Sequence, residues 1–204
     1  MEIRWDGDYE RTNDYPLHYK TVRVTRLADG ATLIFEALQA LLTDDGEIVL
    51  ATMPVPDAAV PGRGGHMGEF TTNIFAVDFA SRAATFLATA RIDDPGLPLA
   101  ASATHVAWRD RDCHPQAQTW VYDRRTGIQT QVLGTLDWVI QFTPANQLAL
   151  GQFGAKALLD PESLAYTLVL PFEGGDVQWS RDYRYAVVWG QGAHGGYCLS
   201  YESR

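Results

Sequence analysis

Three histidines of the sequence lie in short polar segments and could carry chemistry. His66 and His194 are flanked by glycines, and His114 follows Asp112 and Cys113. Imidazole and thiolate groups bind zinc, and imidazole also serves in acid–base catalysis. The spacing matches no known ligand motif, and glycine-rich segments fix ligand geometry poorly, so we predict no cofactor. If a metal ion binds, its predicted ligands are His66, Cys113, His114 and His194.

No other stretch carries a strong enzyme signature. The segment Gly190–Gly195 matches the GxGxxG fingerprint, but that fingerprint holds a dinucleotide only when a helix follows and an acidic residue lies about 20 residues beyond. Only nine residues follow Gly195. The carboxylate pairs at 44–45 and 93–94 adjoin glycine or proline, which is typical of solvated turns. We therefore favour a protein without catalytic residues, with an enzyme built from scattered residues left open.

The elements that would position such residues form a repeat. Residues 140–150 align without a gap with residues 177–187, which lie 37 positions later, and both read as strand, polar turn, strand. Residues 42–50 have the same form. Trp108 is predicted to begin another copy, at the repeat position of Trp179. Because they recur, both tryptophans are predicted to pack in the core between repeats.

A second pattern follows each copy. Asp78, Asp123 and Asp160 each end an apolar strand and begin the pattern D-x-x-[ST]-x-x-x-T. An aspartate at a strand end accepts hydrogen bonds from backbone N–H groups of the following turn, and a Ser or Thr three residues later closes that turn. The pattern predicts a hairpin in each repeat, and its recurrence indicates a structural role for these aspartates.

The segment Tyr122–Ile128, read as strand-Asp-x-x-Thr-Gly-strand, resembles the repeats of β-propellers of the WD-repeat and TolB-like kind. The same resemblance is carried by Val177, Trp179, Ser180, Asp182, Arg184 and Tyr185. It covers about residues 40–204 and implies an all-β fold: a small β-propeller-like array of about four antiparallel blades. It says almost nothing about function.

The whole chain, 1–204, is predicted to be one domain. The predicted parts are an N-terminal closing segment, about 1–39, and repeats at about 40–103, 104–136, 137–174 and 175–204. The last repeat stops before its fourth strand. Candidates to supply that strand are residues 19–27 or their hairpin partner, 31–37, across Asp29-Gly30, unless another chain completes the array.

Two segments allow a different reading. Residues 31–42 and 79–92 are rich in alanine and leucine, and in the second of them Phe79, Phe86 and Ala90 belong to a set with helical spacing. A helix in either segment would contradict the purely β architecture.

The histidines fall between the predicted second and third strands of their repeats. Equivalent connections leave a propeller on one side, so these segments could form a polar rim that grips a partner. Trp5 and Trp138 have no counterpart in the repeats and are predicted surface residues. The predicted partner-binding residues are Arg63, His66, Asp112, His114, His194, Trp5 and Trp138.

The charge of the chain limits its partners. It carries 25 acidic and 16 basic residues, a net charge of −9, with the excess concentrated in the first 100 residues. Such a surface repels nucleic acid and anionic lipid and favours a basic protein, unless the acidity serves only solubility. The start of the sequence lacks the basic and apolar pattern of a secretion signal, so we expect a cytoplasmic protein with Cys113 and Cys198 as reduced thiols.

These observations favour a non-enzymatic protein-binding module, and its predicted role is that of an immunity-type protein that neutralises a basic toxin. The alternative is a small enzyme, or a metal- or ligand-binding propeller, acting through the histidine-containing connections on one face.

Overall fold

The computed structural model describes residues 1–6, 20–51, 70–92, 98–110, 118–133, 139–151, 156–170, 176–192 and 195–202. Every regular element in these residues is a β-strand. The described part of the chain holds no helix with the length and apolarity of a membrane span.

Eighteen strands in the described residues form five antiparallel sheets, and within each sheet the strands that are consecutive in sequence pair with one another. The first sheet contains β1 (Glu2–Asp6), β2 (Lys20–Thr25) and β3 (Thr32–Ala37). The second contains β4 (Gln39–Leu42), β5 (Ile48–Ala51), β6 (Phe70–Val77) and β7 (Ala84–Ile92). The third contains β8 (Leu99–Ala101), β9 (His105–Asp110), β10 (Gln118–Asp123) and β11 (Ile128–Val132). The fourth contains β12 (Val139–Phe142), β13 (Leu148–Leu150), β14 (Ala157–Leu159) and β15 (Tyr166–Val169), and the fifth contains β16 (Asp176–Trp179), β17 (Tyr185–Gly192) and β18 (Gly195–Glu202).

The chain divides into two compact units, Met1–Leu133 and Gly134–Arg204. In the first unit, Val22 and Val24 of the first sheet pack with Ile48 and Leu50 of the second. In the same unit, the third sheet packs on the second through a cluster that includes Trp108. Burial of β-branched and aromatic side chains between sheets is the main stabilising term of this arrangement.

In the second unit, the buried side chains of Ala149 and Leu158 in the fourth sheet pack with Trp179 of the fifth. Trp108 is fully buried and Trp179 is partly buried, so the prediction that both tryptophans belong to the core is confirmed.

A hydroxyl group organises the turn between the first and second strands of four sheets. The Oγ1 of Thr43 accepts a hydrogen bond from Glu47 N at 3.1 Å, and the Oγ1 of Thr143 accepts one from Gln147 N at 3.1 Å. The equivalent hydroxyls of Ser102 and Ser180 accept bonds from His105 N at 3.0 Å and Tyr185 N at 3.0 Å. The predicted strand-turn-strand repeat is therefore confirmed at residues 140–150 and 177–187.

The aspartate pattern forms the predicted hairpins between the third and fourth strands. Asp78 accepts hydrogen bonds from the N–H and the hydroxyl of Ser81, both at 2.6 Å. Asp160 accepts one from the hydroxyl of Ser163 at 2.7 Å, and Asp123 accepts one from Arg125 N at 2.8 Å. In all three hairpins the backbone carbonyl of the aspartate accepts a bond from the N–H four residues later.

The first sheet builds the same hairpin with other residues. Gly30 N donates a hydrogen bond to Arg26 O at 2.9 Å. In the three aspartate hairpins, the N–H four residues after the aspartate donates to the aspartate's backbone carbonyl in the same way. Arg26 takes the position of the aspartate, and its Nε donates to Asp29 Oδ1 at 2.9 Å. The predicted hairpin across Asp29-Gly30 is confirmed, although its first residue has the opposite charge.

Tyr183 occupies an unusual backbone position in the turn between β16 and β17. Its φ is 57°, a left-handed conformation that the equivalent Asn146 adopts more readily. The Tyr183 ring stacks on Trp179 with centroids 5.5 Å apart, and its hydroxyl accepts a hydrogen bond from Gln141 Nε2. These contacts offset the backbone strain and tie the fourth sheet to the fifth.

Three details of the sequence reading need correction. Trp108 lies in β9, the second strand of its sheet, and not in the first strand as Trp179 does, because Leu99–Ala101 supplies the first strand. The residues suspected of being helical, 31–42 and 79–92, form strands wherever they are regular. In β7 the alternate residues Ala88 and Ala90 are buried, whereas Phe86 is 54% exposed, so the strand period decides burial and the helical spacing does not.

The N-terminal strands also pair differently from the closure that the sequence suggested. β2 and β3 form their own sheet with β1, and the fifth sheet, within the described residues, contains only β16, β17 and β18. The larger prediction, an all-β array of antiparallel four-stranded blades, is confirmed by three four-stranded and two three-stranded sheets among the described residues. Whether the chain is one domain stays a prediction.

Candidate functional site

The two ends of each sheet differ. In an antiparallel meander, the first-to-second and third-to-fourth turns lie at one end, which we name the turn end. The second-to-third connection lies at the other end, where the chain also enters and leaves the sheet. We name this the connection end.

The turn end is uniform and held by hydrogen bonds. The hairpin carboxylates are stabilised in their charged form, because hydrogen bonds from Arg125 lower the pKa of Asp123 to about 2. Hydrogen bonds from Arg26 and Ala31 N lower the pKa of Asp29 to about 2 in the same way. Groups occupied by such internal bonds are poorly placed to bind anything else.

Arg124 joins two sheets at the turn end. Its Nη1 donates to Ser102 O at 3.0 Å and to Ala103 O at 2.9 Å. The same guanidinium contacts the carboxylate of Glu47 and lies 3.9 Å from Asp45 Oδ2. Its side chain is only 12% exposed. This arginine links the third sheet to the second and is structural.

The connection end varies from sheet to sheet. The second-to-third connections are residues 7–19, 52–69, 111–117, 151–156 and 193–194, which range from two residues to eighteen. By contrast, the hairpin between the third and fourth strands keeps one hydrogen-bond pattern in four sheets. Variable segments on a repeated scaffold are typical of recognition surfaces.

Most of the net charge also belongs to the connection end. By sequence, the second-to-third and sheet-to-sheet connections carry ten acidic and four basic residues, a net charge of −6 out of the −9 of the chain. The rest of the chain carries the remaining −3. By sequence, the connections therefore carry most of the acidic excess.

Most of the predicted site residues lie in these connections. Arg63, His66, Asp112, Cys113, His114, Trp138 and His194 are outside the described residues. Trp5 lies in β1, where it pairs with Val22. The strand bounds do place His66, His114 and His194 between second and third strands, as predicted. Whether these residues bind a partner or a metal stays a prediction.

The sequence reading missed Asp110, a half-buried carboxylate where β9 reaches the connection end. Its Oδ1 accepts hydrogen bonds from Arg91 N at 2.9 Å and from Trp108 Nε1 at 3.1 Å. Trp120 lies directly opposite Trp108 in the neighbouring strand. The three side chains, Trp108, Asp110 and Trp120, share the sheet face that packs on β7. The signal in the sequence was the alternation Trp108-Arg-Asp110, which puts an indole and a carboxylate on one face.

Burial raises the pKa of the Asp110 carboxyl above its ordinary value. The hydrogen bonds from Arg91 N and the indoles oppose this shift, and so does the more distant charge of Arg91, but desolvation is the largest cause. Carboxyl groups with raised pKa values near variable segments are candidates for functional sites.

The described residues contain no group of three or more His, Cys, Asp or Glu side chains arranged to hold a metal ion. The four candidate ligands named from the sequence lie outside that part of the chain. Metal binding by these residues therefore stays a prediction.

No family model matches the sequence, and no curated protein is similar to it in sequence. Two solved structures are similar in fold. One is the β-propeller domain of the Trilobed protease from Pyrococcus furiosus, described as having an open velcro topology, with 9% identity and a TM-score of 0.52 over 99% of this chain. The chain has a β-propeller fold. The other is TolB from Acinetobacter baumannii, with 13% identity and a TM-score of 0.49 over 91% of this chain.

This propeller spans 65% of the Pyrococcus chain and 46% of the Acinetobacter chain. At such low identity the similarity shows the fold alone, because propellers host many unrelated functions. The fold is compatible with a protein-binding module, and its sheets are the blades of the propeller.

Proposed function

We propose that the chain is a non-enzymatic, cytoplasmic protein-binding module that recognises a basic partner through the connection end of its blades. The observation that carries this proposal is the contrast between the two ends of the blades. Hairpins of one design occupy the turn end, whereas connections of two to eighteen residues occupy the other.

Rigid blades support such a role. The strands that bear the connections are buried, as Val49, Leu50, Ala107 and Ala149 show with exposures of 2% or less. A scaffold that does not reorganise on binding loses little conformational entropy, so the connections contribute more of their contact energy to affinity.

The charge of the connections supports a basic partner. Six of the nine net negative charges belong to these segments. Complementary charge accelerates association with a basic protein and disfavours acidic competitors. An immunity-type protein that masks a basic toxin is the specific role we propose, since such a partner needs fast and tight capture.

The test is capture of the partner from extracts of the source organism, followed by affinity measurements at about 50 and about 300 mM NaCl. We expect a basic protein, encoded beside this chain, whose affinity falls tenfold or more at the higher salt. An affinity independent of salt would contradict recognition by charge.

Two charge-matched variants locate the surface. Asp93→Asn with Asp94→Asn removes two charges from a connection, and Asp44→Asn with Glu162→Gln removes two from the turn end. We expect the first pair to weaken binding about tenfold and the second to leave it within about twofold. Equal losses in both variants would place recognition elsewhere.

A further inference from the structure

The end of β9 holds the chain on both sides of the connection between the second and third blades. That connection, residues 93–98, follows β7 and leads into β8. Just before it, Arg91 N donates a hydrogen bond to Asp110 Oδ1 at 2.9 Å. At its end, Pro98 O accepts a hydrogen bond from Arg109 N at 3.1 Å. Arg109 and Asp110 are the last two residues of β9, so one strand end fixes both ends of the connection.

The junction between the first and second blades is simpler. Only Leu38 separates β3 from β4, and its N–H donates to Ala51 O at 2.8 Å. A short link and a backbone hydrogen bond therefore fix that junction. Residues 93–98 separate β7 from β8, and a longer link leaves more conformations open to the chain. At this second junction, a side chain supplies the tie.

The core of the third blade holds the carboxylate of Asp110 in place. Its Oδ1 also accepts a hydrogen bond from Trp108 Nε1 at 3.1 Å, and a hydrogen bond from the Trp120 side chain favours its charged form. Both tryptophans belong to the cluster that packs the third blade on the second. The bond from Arg91 N is therefore accepted by an oxygen whose position is set by buried groups.

We infer that Asp110 is a positioning residue that fixes the start of the connection 93–98, and with it the two carboxylates that this connection carries. The inference rests on the proposed function, because Asp93 and Asp94 belong to the proposed recognition surface. Asp110 acts through the backbone of Arg91 and need not touch the partner. A connection whose ends are fixed before binding loses less conformational entropy when a partner binds.

The same carboxylate shows that its charge is retained against an opposing effect. Burial raises the pKa of Asp110, because desolvation outweighs the hydrogen bonds that favour the charged form. Stability alone would favour a neutral acceptor at this position. An ionised acceptor, however, makes a stronger hydrogen bond to Arg91 N than a neutral one, and positioning requires a strong bond.

Hydrogen–deuterium exchange of the full chain at neutral pH tests the inference without a partner. Each rate is divided by that of the hairpin at 78–83 in the second blade, which corrects for a loss of global stability. Asp110→Ala removes the acceptor, so the amides of Arg91 and of residues 93–97 should exchange at least tenfold faster. Asp110→Asn keeps an oxygen for Arg91 N and should limit the increase to about threefold.

Arg124→Met is the matched control, because Arg124 joins the same two blades at the turn end. It should leave the corrected exchange of Arg91 and of residues 93–97 within about twofold of the original. Unchanged exchange in Asp110→Ala, or an equal increase in Arg124→Met, would overturn the inference. An increase in Asp110→Asn as large as that in Asp110→Ala would overturn it too. Each of these results leaves the proposed function standing, since the salt dependence of partner binding and the connection variants test it separately.

Discussion

Arg82 and Gly127 occupy the same position in two equivalent hairpins and share one backbone conformation. The φ angle is 59° at Arg82 and 73° at Gly127. The position follows the hairpin aspartate by four residues in both blades, and Gly30 and Leu164 hold it in two others. A left-handed conformation costs little for glycine but is unfavourable for residues with a Cβ atom. The hairpin therefore requires a left-handed residue at this position. Only Gly30 and Gly127 adopt that conformation without strain.

Replacing Arg82 by glycine is expected to stabilise the protein by up to about 1 kcal/mol, because left-handed strain at a non-glycine residue is relieved. The Arg82 side chain is exposed, so little packing is lost. Urea unfolding at neutral pH measures the change.

The matched control is Gly127→Ala, which introduces the strain that Arg82→Gly removes. The new Cβ would meet Tyr122 Oη at 3.7 Å, an ordinary contact, so the cost comes from the backbone. We expect a loss of about 1 kcal/mol. A stabilising Gly127→Ala would show that the hairpins are not equivalent.

Arg124 and Arg125 are adjacent in sequence but should differ greatly in importance. Arg124→Met leaves the carbonyls of Ser102 and Ala103 without their donor and is expected to cost about 2 kcal/mol. Arg125→Gln removes a guanidinium that is 55% exposed and should change stability by less than about 0.5 kcal/mol. Paired urea titrations compare them, and similar losses would show that the buried Arg124 contributes no more to stability than the exposed Arg125.

Acid should weaken the fold through the hairpin carboxylates. Hydrogen bonds lower the pKa values of Asp29 and Asp123 to about 2 and lower that of Asp78 as well. Their stabilisation is therefore present above the unfolded value near 4 and is lost as the pH falls through about 2. We expect the urea midpoint to fall between pH 4 and pH 2, and to fall less in Asp123→Asn. An equal pH dependence in that variant would contradict the assignment.

Asp110 should behave in the opposite way. Burial raises its folded pKa, so the folded state binds more protons than the unfolded state and stability is lost as the pH rises through that interval. At pH 7, Asp110→Asn is therefore expected to equal or exceed the original urea midpoint. Asp110→Ala, which leaves the N–H groups of Arg91 and Trp108 without an acceptor, should be less stable than either. A midpoint for Asp110→Asn below that of the original protein would contradict the desolvation argument.

The repeat was visible in the sequence because its hydrogen-bonding residues cannot vary freely. An aspartate with a hydroxyl three residues later favours the same turn wherever it occurs, so the pattern at Asp123 and Asp160 predicted a hairpin at each position. Arg26 and Asp29 build the same turn with an ion pair, and no aspartate pattern reveals it. That substitution hid the first blade, which the sequence suggested was only a closing segment.

Trp108 was misplaced for a related reason. Its strand follows a short turn that begins at Ser102, and the preceding strand, Leu99–Ala101, is only three residues long. A strand so short carries almost no periodic signal, so Trp108 seemed to begin the repeat. The error in register concealed Asp110 as well, because its position at the end of a second strand gives it a place beside the connections.

The claim that the connection end recognises the partner is tested most directly by hydrogen–deuterium exchange with and without the captured partner. We expect slower exchange in residues 52–69, 93–98 and 111–117 on binding, with the hairpins at 43–47, 123–127 and 160–165 unchanged. Protection confined to those hairpins, with the connections unaffected, would contradict it.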